Sequence, residues 1–174
     1  MAGVRDFEII PATGEENVSG LMTPEETVCT LAVQKCREIA ECAGAGDVII
    51  GADTLVCLAG NLLGKPKNNE DAYNMLMELS GRVHTVYTGV AVISCPGKEL
   101  VDFEATKVFF RKITEDEARA YVRTGEPADK AGAYGAQGRA SIFIERIEGD
   151  FFNVVGLPLC KTAIMLSEMG VKLL

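Results

Sequence analysis

Val48-Ile49-Ile50-Gly51-Ala52-Asp53-Thr54, followed shortly by Leu63-Gly64-Lys65-Pro66, is the stretch whose reading decides the fold. The apolar run up to Ile50 reads as a strand covered on both faces. Gly51 and Ala52 keep its backbone slim where another molecule could approach. Asp53 and Thr54 then put a carboxylate and a hydroxyl at the strand's carboxyl end, where ligands bind in open α/β sheets. Lys65, in a tight Gly-Lys-Pro turn, is placed to return a cation to the same spot. The competing reading is a polar strand end whose Asp caps a turn.

Upstream, Thr23-Pro24-Glu25-Glu26 carries the signals of a helix start: Thr as N-cap, Pro at N1 and Glu at N3. The helix is expected to run to about residue 43, with Val28, Leu31, Ala32, Cys36 and Ile39 as its apolar stripe. Lys35 falls inside that stripe. It is either a snorkelling side chain or a cation on the core side that calls for an anion. Residues 7–11 form a short strand candidate, and an aperiodic loop over 12–22 carries Glu15.

Downstream, residues 55–63 read as a small hairpin that brings Lys65 back toward Thr54. Asn68 or Asn69 caps a helix ending at Leu79-Ser80-Gly81. Residues 84–94 and 99–113, joined by Pro96-Gly97-Lys98, make an antiparallel pair. His84, the only histidine, is read as a strand-edge hydrogen-bonding residue in preference to a metal ligand or base. Thr114-Glu115-Asp116-Glu117 opens another helix. The segment Glu126-Pro127-Ala128-Asp129-Lys130-Ala131-Gly132-Ala133-Tyr134-Gly135-Ala136-Gln137-Gly138 is too glycine-rich for a regular element. It reads as a shaped loop whose N–H groups can cradle an anion or a base edge. Strands over 141–147 and 152–156 and a last helix to about residue 169 complete a single α/β domain over 1–174, a mixed twisted sheet with flanking helices.

Composition narrows the function classes. A net charge of −8, from 17 Lys and Arg against 25 Asp and Glu, disfavours nucleic-acid and anionic-membrane surfaces. A small anion needs only a local cationic pocket or a bridging metal. Six scattered cysteines with no C-x-x-C pair read as reduced thiols. Neither a signal peptide nor an apolar run of membrane-spanning length is visible, so a cytoplasmic protein is expected.

The chemistry-bearing residues form one set: carboxylates Glu15, Asp53 and Asp129, cations Lys35, Lys65 and Lys130, and neutral donors Thr54 and Gln137. There is no Ser–His–Asp set, no Walker loop and no G-x-G-x-x-G after a strand. Lysines facing carboxylates suit a polyphosphate held by cations and a divalent metal, with a carboxylate or the metal activating water. The residues alone lead to an enzyme acting on an anionic ligand.

Gly51-Ala52-Asp53-Thr54, Leu63-Gly64-Lys65-Pro66, Leu79-Ser80-Gly81, the stretch from Asp129 to Gly138, and Gly156-Leu157-Pro158 resemble the Maf (septum-formation-inhibitor-like) nucleotide pyrophosphatases, in the family's order and spacing. The resemblance implies the α/β fold shared with inosine triphosphate pyrophosphatases, often as a homodimer with the cleft between two lobes. It implies cleavage of a nucleoside triphosphate to monophosphate and pyrophosphate with Mg²⁺ or Mn²⁺. Asp53 matches the catalytic acceptor, Lys35 and Lys65 the phosphate-binding lysines, and Glu15 an acidic site residue; Lys130 joins the phosphate set. Glu15 and Asp53 are the implied metal ligands. Thr54 and Gln137 match positions linked to base selection, and both read as in the dTTP/UTP branch. The family's opening Ser-x-Ser-Pro-Arg-Arg segment has no counterpart in this sequence. That difference sets a second expectation beside the first: a nucleotide-binding cell-division regulatory protein with little catalysis.

Overall fold

The computed structural model describes residues 7–14, 18 and 22–173. Five strands, β1 (Val48–Leu58), β2 (Asn61–Leu63), β3 (Val83–Ser94), β4 (Glu99–Phe110) and β5 (Ile144–Glu148), form one sheet in the order β2-β1-β3-β4-β5. The helices are α1 (Pro24–Ala40), α2 (Asn69–Leu79), α3 (Glu115–Val122), α4 (Phe151–Val155) and α5 (Leu159–Glu168). The α/β class is as expected, a sheet flanked by helices. The sheet is antiparallel where a mixed one was expected, with β1 paired to β2 and β4 to β5 at its two edges.

The residues group into two compact units. One holds the described residues of Met1–Asp53 with Thr88–Glu104 and Gly156–Leu174; the other holds Thr54–Tyr87 and Ala105–Val155.

In the first unit the capping box of α1 is complete: the Thr23 hydroxyl accepts from the Glu26 N–H at 3.2 Å, and the Glu26 carboxylate accepts from the Thr23 N–H at 2.9 Å. Val28, Leu31, Ala32 and Cys36 of α1 are buried. The helix lies close against β1 and β3 because two glycines leave room for its backbone. A Cβ on Gly51 would sit 2.7 Å from the Ala32 carbonyl oxygen and 2.8 Å from Cys36 Sγ. One on Gly89 would sit 2.3 Å from the Val28 carbonyl oxygen. Gly51 is therefore slim for the sake of α1, not of an incoming ligand. A second apolar cluster joins Val90 and Val92 of β3 to Met165 and Leu166 of α5.

The second unit has the larger core, in which Leu76 and Leu79 of α2, Ala118 and Tyr121 of α3, and Val108 and Phe110 of β4 take part. Its centre is aromatic. His84, Phe110 and Tyr134 meet edge to face with ring centroids 4.8–5.4 Å apart.

Several sequence expectations differ from the structure, among them the strand over 141–147, whose first three residues lie in a 3₁₀ turn (Arg139–Phe143). Residues 7–11, read as a strand, form no strand among the described residues. The strand through Asp53 does not end there; it continues to Leu58, which places Asp53 and Thr54 mid-strand. Ile50 is 43% exposed, so β1 is not covered on both faces at that point. Residues 152–156, read as a strand, fall largely in α4. The Asp150 carboxylate accepts from the Phe152 N–H at 2.8 Å, and the Asn153 amide donates to the Val86 carbonyl at 3.0 Å and to Thr106 Oγ1 at 2.9 Å. The local Asp150 bond and the two long-range bonds of Asn153 together outweigh the β preference of Phe and Val.

Candidate active site

Each unit holds its own part of the chemistry. In the first, the Lys35 ammonium donates to the Asp53 carboxylate at 2.5 Å. Both side chains are mostly withdrawn from solvent, at 27% and 11% exposure. The pairing follows from the glycine contacts: Ala32 and Cys36 of α1 press on Gly51, so Lys35, between them on the helix, reaches the strand two residues beyond it. Gly51 and Asp53 share a strand face at the two-residue period, and α1 covers that face. Cys36 adds a tether, its thiol donating to the Ala91 carbonyl at 3.2 Å. Burial pushes that thiol up to about 12, so it stays protonated. The stripe lysine is thus a core-side cation with an anion to meet.

The second unit brings Lys65, Asp129 and Lys130 together. The Gly132 N–H donates to the Gly64 carbonyl at 3.0 Å, which ties the glycine loop to the Gly-Lys-Pro turn. Lys130 donates to the Asp129 carboxylate at 2.6 Å. That bond, with the charges of Lys130 and Lys65, holds the Asp129 carboxyl below its usual range. The β1–β2 register pairs Val56 with Leu63 and ends there, with Lys65 in the turn two residues on. Strand alternation also sets Thr54 on the face that carries Val56 and Leu58 into the core. Gln137 is exposed on the loop, and Glu15 lies outside the described residues.

The loop over 126–138 is shaped as expected, a chain of short 3₁₀ turns at Glu126–Asp129 and Ala131–Ala133. His84 is not an edge residue. It is buried, with Nε2 and Tyr134 Oη 2.8 Å apart, and burial lowers its pKa to about 4, so its ring is neutral at physiological pH. Two residues of this region escaped the sequence reading, Tyr121 and Glu126. The signal for them was a glutamate opening a glycine-rich run just after a helix whose last turn carries a tyrosine.

For a divalent metal, the described residues contain no cluster of three His, Cys, Asp or Glu side chains. Asp53 offers a hard carboxylate oxygen, which fits an ion held by one or two carboxylates and substrate phosphates in place of a protein cage.

The sequence profile of the Maf-like protein family matches residues 1–169. The chain belongs to the Maf family. Among Maf relatives, a dTTP/UTP pyrophosphatase from Moorella thermoacetica is 50% identical over 167 residues, covering 95% of this chain and 85% of the relative. One from Thermococcus gammatolerans is 47% identical over 171 residues, covering 98% and 89%. A third, from Alkaliphilus oremlandii, is 46% identical over 161 residues, covering 92% and 83%. No helix of the described residues is long and apolar enough to cross a membrane.

Proposed function

We propose that this Maf protein hydrolyses dTTP and UTP to the monophosphate and pyrophosphate. The observation that carries the reading is the Lys35–Asp53 pair, a carboxylate and an ammonium set by packed backbone in a chain 46–50% identical to dTTP/UTP pyrophosphatases.

Asp53 accepts the proton of a water molecule as its oxygen attacks the α-phosphorus. The bond from the α-phosphorus to the bridging oxygen breaks, and pyrophosphate leaves with the electron pair. Lys35 moves from the carboxylate to a phosphate oxygen as the triphosphate arrives, which frees Asp53 for this role. Lys65 and Lys130 neutralise phosphate charge, and Asp129 keeps Lys130 oriented until the substrate replaces it. Thr54 and Gln137 read the pyrimidine edge. Asp53, with Glu15, would hold a Mg²⁺ or Mn²⁺ ion, which supplies charge neutralisation at the phosphates. The protein is assigned to the cytoplasm as a homodimer, a state that sedimentation equilibrium tests directly.

The decisive experiment incubates the protein with a panel of nucleoside triphosphates and either metal and quantifies pyrophosphate and monophosphate. Release from dTTP and UTP above the purine triphosphates is expected. No turnover of any triphosphate, or equal turnover of all, would defeat the reading.

A further inference from the structure

The base-reading role proposed for Gln137 raises the question of what fixes an exposed glutamine on a glycine-rich loop. The answer lies two residues to either side of it. On one side the Gly135 N–H donates to Tyr121 Oη at 3.2 Å. On the other the Arg139 N–H donates to both oxygens of the Glu126 carboxylate, at 3.0 and 3.1 Å. These two anchors are joined, because Tyr121 Oη donates to Glu126 Oε1 at 3.0 Å. A single two-residue relay therefore brackets Gln137 through the backbone.

The bracket is built tightly. A Cβ on Gly138 would fall 1.9 Å from Glu126 Oε1, so the carboxylate occupies the space that any other residue at 138 would claim. Tyr121 is buried at the end of α3, its ring meeting Phe143 edge-on at 5.5 Å between centroids. Burial keeps its phenol above the usual range, so it remains a donor to Glu126 while accepting from Gly135. The Glu126 oxygens are engaged by Tyr121 and Arg139, which leaves the carboxylate to act on the loop and not on a substrate.

We propose that Tyr121 and Glu126 are the positioning pair that sets Gln137 for pyrimidine recognition, acting through the backbone at Gly135 and Arg139. The proposal rests on the reading of Gln137 as a base-selecting residue. Neither member touches substrate, and the pair governs which base is preferred more than how tightly phosphates bind.

The test uses nucleoside monophosphates, the product UMP and its amino counterpart CMP, so it is independent of turnover: dissociation constants for both by titration calorimetry, for wild type, Tyr121→Phe, Glu126→Gln, Gln137→Ala and Tyr121→Phe/Gln137→Ala. Tyr121→Phe keeps the ring against Phe143 and removes only the hydroxyl. Loss of the two loop hydrogen bonds is expected to reduce the UMP-over-CMP preference about tenfold. In the Gln137→Ala background the same change should alter that preference less than about twofold, as expected for residues acting as one unit. Glu126→Gln, which replaces one of the two oxygens shared by the Arg139 N–H with an N–H donor, should lower the preference in the same direction by a smaller factor. A wild type that prefers UMP, with the preference intact in Tyr121→Phe and in Glu126→Gln, would overturn the positioning role alone. A wild type with no preference, or a preference intact in Gln137→Ala, would overturn it together with the base-reading role of Gln137.

Discussion

Two lysine–aspartate pairs of this protein, Lys35–Asp53 and Lys130–Asp129, use the same chemistry and rest on opposite kinds of support. Lys35 and Asp53 come from a helix and a strand 18 positions apart, pressed together where glycines let backbone meet backbone. Asp129 and Lys130 are sequence neighbours, 75% and 41% exposed at their side chains, on a loop tied down by side-chain hydrogen bonds and an aromatic cluster. Backbone contact cannot relax without moving a whole element, whereas a side-chain anchor yields locally. The first arrangement fixes where Asp53 stands on its strand while the lysine above it exchanges to phosphate, and the second suits a phosphate-facing surface that adjusts to its ligand.

The largest expected effect tests that division directly. Asp53→Asn should lower pyrophosphate release by about 10²–10⁴-fold with the melting curve preserved, as for loss of a general base. Asp129→Asn should cost less than about tenfold, since one exposed carbonyl can still orient Lys130. Similar losses in both variants would erase the distinction between the pairs.

The loop's support is the acid-sensitive one. His84 has a folded-state pKa near 4 against an ordinary 6.5, because burial disfavours its charged form. Between those values the unfolded chain binds a proton that the folded chain does not, so this contribution is full above pH 6.5 and is lost as pH falls toward 4. Its size is on the order of 3 kcal/mol, read as the difference in denaturant stability between pH 7 and pH 4. His84→Gln, which cannot titrate, should show a correspondingly flatter decline. An identical decline in both would assign the acid sensitivity elsewhere.

Much of this was legible beforehand. The capping boxes at Thr23 and Thr114 appear as written in the sequence, and of the two readings of Lys35 in its apolar stripe the core-side cation with an anion partner is the one realised. The strand end at Asp53 was misread because a glycine inside an apolar run looks the same whether it admits a ligand or a helix. Only the 2.7 Å approach of the Ala32 carbonyl to a hypothetical Cβ distinguishes the two. Tyr121 and Glu126 were missed for a related reason. Their partners are backbone N–H groups up to 14 residues away, and no side-chain pattern reports those.

The glycines turn the comparison into a stability measurement. Gly51→Ala collides with the Ala32 carbonyl and with Cys36, and should cost about 2 kcal/mol as overpacking of a closed interface. Gly138→Ala meets a carboxylate that can swing aside, so about 1 kcal/mol is expected, with lost base preference as its main sign. A larger stability loss at Gly138 would mean that the loop is as rigid as the helix contact. The smallest effect belongs to Lys130→Ala, about 0.5 kcal/mol or less and vanishing in high salt, as for other exposed ion pairs.

Cys36 gives the α1 contact a natural clock. Its sulfur is fully buried beneath the helix and its thiol resists ionisation, while Cys42 and Cys160 stand exposed. A thiol-directed reagent therefore modifies the outer two promptly and reaches Cys36 when the helix lifts from the sheet. The lag between these events times the breathing of the surface that carries Lys35, with the outer thiols as its internal reference.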